Sequence, residues 1–249
     1  MVKTIDKNSI QNLLNVPRKV MVLDEVFSTN DYIKNSDFDV VIAKSQTGGK
    51  GTNNRKFFSP KGGVYLSIKL KNPKISADKI SFITPFTAVI VASAIEKVSG
   101  VKPQIKWVND LYINSKKLAG ILCESVIKGG DIDSVIIGVG INVLKQEFPV
   151  FELNEPTSIE NETGKKIDKN LLISEILNAF DNVEKEISSK NFVSEYKNNF
   201  YLKDKQVKVI QNDITYQGIA LGVDDNLHLL LKTDSEVLTF ISATTVKTI

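Results

Sequence analysis

Cysteine, histidine, tryptophan and arginine are all nearly absent from this chain of 249 residues. The single cysteine, Cys123, rules out an internal disulfide and reads most naturally as belonging to a reducing cytoplasm. With only His228 beside it, a zinc site of the usual Cys/His kind is excluded, and His228, in an alternating strand, reads as structural. No uninterrupted apolar run reaches the roughly 18 residues a membrane span needs, and no signal peptide precedes the first strand. A formal net charge of +3 and a pI near 8.7 come from lysines spread along the chain rather than clustered, so neither a nucleic-acid surface nor a membrane partner is expected. There is no internal repeat and no low-complexity tract. What remains is ordinary globular material, 42% hydrophobic and 24% charged, long enough for one sizeable core and a small second domain.

The two arginines are Arg18 and Arg55. Arg55 lies in the stretch from Ser45 to Ser67, which also holds five of the 14 glycines. An arginine in a glycine-rich loop points to a planar, bidentate contact with carboxylate or phosphate. Gly48, Gly49 and Gly51 would let backbone amides approach an anion. A solvated surface loop is the alternative reading. The loop contains neither a Walker phosphate-loop string nor a dinucleotide fingerprint.

Along the chain, a short helix around Ile10 to Leu14 precedes a strand at Lys19 to Leu23. Ser28 or Thr29 can cap the next helix. Val40 to Ala43 reads as a buried strand delivering the loop, and Val64 to Leu70 as a half-buried one after Gly62-Gly63, which is either a turn or a resting place for a flat ligand. Thr84 and Pro85 are expected to start a core helix running to Gly100. Residues 105–124 read as two strands joined at Asn114-Ser115, where Lys116-Lys117 by itself reads as an exposed turn pair, while Asn109-Asp110 between apolar neighbours needs partners. Gly138 to Asn142 ends a further strand. Residues 145–166 read as a long surface loop. Asp168 caps a helix carrying Leu172, Ile176, Phe180, Val183 and Ile187 on one face, and a shorter helix follows near Phe192 to Tyr201. Beyond Asp204, five short strands separated by turn residues predict a small antiparallel barrel.

Three of these stretches, in order, resemble the biotin protein ligases. Gln46, Gly49, Lys50, Gly51, Asn54, Arg55, Ser59, Pro60, Gly62 and Gly63 match the family's signature loop, with Thr52 and Phe57 where arginine and tryptophan are usual. Trp107, Asn109, Asp110, Lys117, Leu118, Gly120, Ile121 and Leu122 match the second motif, with Val108 in place of proline. Gly138, Gly140, Ile141 and Asn142 match the third, and Ser28-Thr29-Asn30 resembles the first biotin-contacting motif. The resemblance implies an α+β fold: a central mixed sheet flanked by helices, like the class II synthetases, over residues 1–203, and an SH3-like barrel over 204–249. It implies ATP-dependent activation of biotin to biotinyl-5'-AMP and transfer to a lysine. Lys117, Arg55 and Asp110 would be catalytic. Ser28, Thr29, Asn30, Gln46, Gly49, Lys50, Gly51, Thr52, Lys117 and Gly120 would hold biotin. Lys50, Arg55, Phe57, Asn109, Asp110, Lys117 and Asn142 would hold ATP. Asp110 would also help hold magnesium or the incoming amine, although no set of metal ligands is marked. The implied acceptor is the biotin carboxyl carrier domain of a carboxylase or decarboxylase, and a homodimer is compatible with the sequence. The first 20 residues leave no room for the winged helix-turn-helix of the family's repressors. A lipoate-type ligase, a biotin-binding regulator without ligase activity and a scaffold with an SH3-like module are the competing readings; the Gln46 loop disfavours the first and the missing DNA module the second.

Overall fold

The computed structural model describes residues 4–129, 131–149 and 155–249. Helix α1 (Lys7–Gln11), capped by Asp6, leads to strand β1 (Val20–Leu23), helix α2 (Thr29–Lys34) and strand β2 (Val40–Ala43). The glycine-rich loop then runs to β3 (Val64–Lys71), and α3 (Ile83–Ser99) is followed by β4 (Gln104–Lys106), β5 (Asp110–Ile113), β6 (Lys116–Lys128) and β7 (Asp131–Ile141). Helices α4 (Ile159–Thr163), α5 (Lys169–Ala179), α6 (Val183–Ser189) and α7 (Phe192–Asn198) come next. The chain closes with β8 (Gln206–Gln211), β9 (Ile214–Val223), β10 (Leu229–Lys232), β11 (Val237–Phe240) and β12 (Thr245–Thr248).

Strands β1 to β7 form one mixed sheet in the order β1-β2-β3-β7-β6-β5-β4, in which only β1 and β2 are parallel. Strand β2 is a continuous apolar run and all of Val40–Ala43 is buried; the first five residues of β3 are buried too, Tyr65 and Ser67 included, so this strand is covered on both faces there rather than half-buried as its alternation predicts. Asn114 and Ser115 both take positive φ (48° and 64°), the backbone that a two-residue hairpin between β5 and β6 requires. Helix α3 lies in the core against α5, α7 and the sheet. Together with the 3₁₀ turn Ala77–Phe82 it is long and apolar enough to cross a membrane by length and composition, but most of it is buried inside the fold, as in the core helix of a globular protein.

Three expectations are corrected. Helix α3 begins at Ile83 with Phe82 as its cap, continuing the 3₁₀ turn, so Thr84 and Pro85 lie inside the first turn, where proline's missing N–H costs nothing. The 145–166 stretch is not all surface loop: it contains α4, and Thr157, Ser158 and Ile159 are buried. Residues 150–154 of that stretch lie outside the described residues. The C-terminal strands form an open five-stranded antiparallel sheet, β11-β10-β9-β8-β12, rather than a closed barrel, since among the described residues β11 and β12 do not pair. Alternation and turn residues reveal such strands in sequence but not whether the two edge strands, each four residues long, meet.

Candidate active site

A cavity of about 560 Å³ opens on one face of the large sheet, roofed by the glycine-rich loop. Its floor comes from β6 and β7 through Gly120, Ile121, Leu122, Gly138, Val139 and Gly140. At Gly140 a Cβ would collide with the Phe57 ring at 2.6 Å, so the missing side chain is what lets the ring lie on the strand. Phe57 in turn packs edge-on to Tyr65, and the Lys117 ammonium stands 5.9 Å from its ring centre.

One wall is uncharged and polar. Ser28 caps α2 by accepting from the Asp31 amide, which presents Thr29 and Asn30 to the cavity. The Thr29 amide donates to Gln46 Oε1 at 2.9 Å, and the Thr29 hydroxyl stands 3.1 Å from the same oxygen. Gln46 Nε2 donates to Ser59 Oγ at 3.0 Å, which fixes the orientation of the amide. Behind this wall, buried Ser67 lies 2.8 Å from the Thr29 hydroxyl and donates to Asn30 Oδ1 at 2.6 Å, while Asn30 Nδ2 donates to Glu124 Oε2 at 2.7 Å. The far oxygen of Glu124 is held by Lys34 at 2.7 Å. A buried polar group is tolerable only when such partners exist, and here each member orients the next.

The other wall is charged. Lys117 and Asp110 face each other across the β5-β6 hairpin at 2.7 Å, both largely shielded from solvent. The Lys117 backbone is pinned as well, donating to Glu155 O at 2.7 Å and accepting from the Thr157 amide at 2.8 Å. Asn109 Nδ2 donates to Ile121 O, and Asn142 Nδ2 to Thr157 O, both inside the fold. Asn142 Oδ1 is buried without a protein partner, an acceptor that a bound donor would satisfy. Among the described residues no three His, Cys, Asp or Glu side chains converge on a metal position, and Asp110 is the one carboxylate lining the cavity.

Of the residues singled out in sequence, Ser28, Thr29, Asn30, Gln46, Lys50, Gly51, Thr52, Arg55, Phe57, Asn109, Asp110, Lys117, Gly120 and Asn142 all line this cavity. Gly49 does not; it sits behind the loop, where a Cβ would strike Phe57 O at 2.6 Å. Two of the three glycine amides expected to approach an anion are already bonded within the protein. Gly48 donates to Phe27 O and Gly51 to Arg55 O, each at 2.7 Å, so these N–H groups are committed to lacing the loop together. Lys50 reaches Asp31 at 2.7 Å. Arg55 turns to the C-terminal sheet, donating to Thr244 O at 2.8 Å and to Thr245 Oγ1 at 2.9 Å. Positive charge at the site is therefore supplied by side chains. His228 lies elsewhere, its Nδ1 3.0 Å from Asp224 Oδ2 in a turn. Ser67, Glu124 and Asp31 are not marked in the sequence: Ser67 falls on the polar phase of the β3 alternation with Tyr65 and Lys69, where a serine is unremarkable.

The biotin/lipoate A/B protein ligase family matches residues 26–142. The bifunctional ligase/repressor BirA of Bacillus subtilis is 34% identical over 212 residues, covering 82% of this chain, which spans 64% of that relative's length. The bifunctional ligase/repressor BirA of Salmonella typhimurium is 31% identical over 248 residues, covering 95% of this chain and 76% of the relative. Among solved structures, the biotin protein ligase from Aquifex aeolicus in complex with biotin and ATP superposes with a TM-score of 0.80 at 26% identity, covering 93% of this chain and 99% of that one. Fold and cavity thus define an α+β ligase core. The chain belongs to the biotin/lipoate A/B protein ligase family, and the solved structure it superposes on over 93% of its length is a biotin protein ligase.

Proposed function

We propose that this protein activates biotin with ATP and transfers it to a lysine of a biotin carboxyl carrier domain in the cytoplasm. The observation that carries this reading is the placing of the Lys117–Asp110 pair and Arg55 on one wall of a cavity whose other wall is the neutral Thr29–Gln46 array. An apolar acid with a ureido ring needs such a neutral wall, whose amides and hydroxyls can both give and accept hydrogen bonds. Its carboxylate and the α-phosphate repel one another, and Lys117, with Lys50 and Arg55, offsets that charge. The carboxylate oxygen then bonds to the α-phosphorus while the bond to the bridging oxygen breaks, its electron pair leaving with pyrophosphate. Holding the two anions in line is worth up to about 7 to 11 kcal/mol of the barrier. In the second step the acceptor amine attacks the acyl carbon and AMP departs; Asp110, once Lys117 turns to the ligand, can accept a hydrogen bond from that amine.

The orphaned Asn142 Oδ1 fits the exocyclic amine of adenine. Phe57 and the glycine floor offer a flat apolar surface. A single lining carboxylate does not build a protein cage for magnesium; the donor set fits an ion carried on the triphosphate, where it would offset phosphate charge.

Incubation with biotin, ATP and magnesium is expected to yield biotinyl-5'-AMP by mass spectrometry. Lys117→Ala should lower the rate at least about 10- to 150-fold, the loss of one charge-assisted contact, without changing the circular dichroism spectrum. Adenylate formation at the wild-type rate in that variant would remove Lys117 from the mechanism.

A further inference from the structure

Behind the uncharged wall of the large cavity, the number of protons fixes which way each polar group faces. Glu124, ion-paired with Lys34 at 2.7 Å, can only accept. Asn30 must therefore turn Nδ2 to it at 2.7 Å and Oδ1 to Ser67 at 2.6 Å. That amide oxygen has no proton to give, so it takes the single hydroxyl proton of Ser67. Ser67 Oγ stands 2.8 Å from Thr29 Oγ1, too close for two bare oxygens, and the proton between them comes from Thr29. From the other side, Ser59 gives its proton to Phe57 O at 2.9 Å and accepts from Gln46 Nε2 at 3.0 Å, which leaves Gln46 Oε1 to take the Thr29 amide at 2.9 Å. Between these two anchors Thr29 Oγ1 and Gln46 Oε1 lie 3.1 Å apart with no proton left for the contact, and both residues line the cavity. The array is firmly seated. A Cβ at Gly138 would collide with Asn30 Oδ1, so the missing side chain leaves the room this amide fills. Lys69, two residues beyond Ser67 on β3, donates to Lys34 O and Ser36 O at 3.1 Å each, so one strand grips α2 at both ends.

We propose that Glu124 is a positioning residue that sets ligand specificity: through Asn30 and Ser67 it draws the Thr29 proton away from the cavity, so that Thr29 Oγ1 and Gln46 Oε1 form a pair of acceptors that selects a ring N–H on the ligand. The proposal rests on the ligase reading above, in which that N–H belongs to the ureido ring of biotin. A carboxylate at the head of the chain admits one sense only. A glutamine there could offer its Nε2 instead. Asn30 would then turn over, Ser67 would give its proton to Thr29, and the Thr29 proton would fall between the two wall oxygens and close the acceptor pair.

The test measures, by calorimetry on the full chain without ATP, the affinities of biotin and of the two cyclic carbamates in which one or the other ring N–H is replaced by oxygen. Wild type should bind at least one carbamate about 10-fold or more less tightly than biotin, because the ring oxygen then meets the acceptor pair with no proton. Glu124→Gln should narrow that ratio to about 3-fold or less. The change is isosteric and the Glu124 side chain is 29% exposed, so the fold should survive it. Ser67→Ala, which cuts the chain in its middle, should narrow the ratio likewise and decides the matter if Glu124→Gln does not fold. A merely structural role would weaken biotin and both carbamates in parallel. An unchanged ratio in the folded variant would therefore overturn the proposal, as would a wild type that does not distinguish biotin from either carbamate. Adenylate formation is read by mass spectrometry on the same protein. A wild type that forms adenylate while the ratio survives the substitution loses the acceptor pair and keeps the ligase reading. One that shows the ratio and its narrowing yet forms no adenylate keeps the acceptor pair and loses the ligase reading, and one that binds no biotin loses both.

Discussion

Lys106 carries a cost that pH can reveal. Its folded value near 8 lies below the ordinary 10.5, so between those limits the unfolded chain binds more protons than the folded one. Stability contributed at this site therefore rises as pH climbs from about 8 to 10.5, because the unfavourable buried charge is progressively removed. Lys106→Met never carries that charge. Its stability advantage over wild type, measured by denaturant unfolding, should be largest near pH 7 and shrink towards pH 10. Burial also raises the hydroxyl values of Tyr65, Tyr112 and Tyr196, which opposes stability at still higher pH; Tyr65 and Tyr196 are common to both proteins, and Tyr112, 3.2 Å from the Lys106 ammonium, titrates above the range compared. A constant difference across the range would show that Lys106 is not the group responsible.

Among elements, the glycine-rich loop sets how long a product stays. Hydrogen bonds from the Gln46 amide to Ser59 O, the Phe57 amide to Gly49 O and the Gly51 amide to Arg55 O make it a laced turn rather than a free strand of chain. Thr52 lines the cavity and offers a hydroxyl where the resembling sequences offer an arginine. Thr52→Arg should slow biotinyl-5'-AMP dissociation by about 10-fold or more, read from release rates after rapid dilution. No slowing would mean that Lys56, which also lines the cavity, already supplies the charge. How well such elements could be foreseen follows from where their causes lie. Strand β2, the Asn114-Ser115 turn and the Asp168 cap of α5 are set by neighbours in the chain, and all appear where the sequence indicates. The open C-terminal sheet and the bond of the Gly48 amide to Phe27 O depend on partners tens of residues away, while the start of α3 is shifted by the 3₁₀ turn that runs into it. The same division holds at the site. Lining residues came in compact motifs, whereas Ser67 and Glu124, which orient Asn30, stand 37 and 94 residues from it and carry no local mark.

At the scale of the whole molecule the two sheets are not independent. Buried residues of β8, β9 and β10 join the same apolar cluster as α3 and the large sheet. The Ile105 amide donates to Asn199 O and the Tyr201 amide returns to Ile105 O, stitching β4 to the segment that enters β8. Tyr112 stacks on Tyr201 at 4.9 Å, and the Trp107 indole donates to Leu227 O at 2.8 Å. A shared core predicts shared loss: urea unfolding should give one transition, and Trp107→Phe should shift its midpoint downward by the equivalent of about 0.5 to 1.5 kcal/mol, the net worth of one hydrogen bond. Two separated transitions by circular dichroism would show that the sheets unfold apart. Trp107 is the chain's single tryptophan and is 7% exposed at this seam, so its emission colour and quenching report on the junction alone. The protein thus carries an unlabelled optical gauge beside its own reaction chamber, able to follow in real time whether ligands tighten or loosen the seat of the C-terminal sheet.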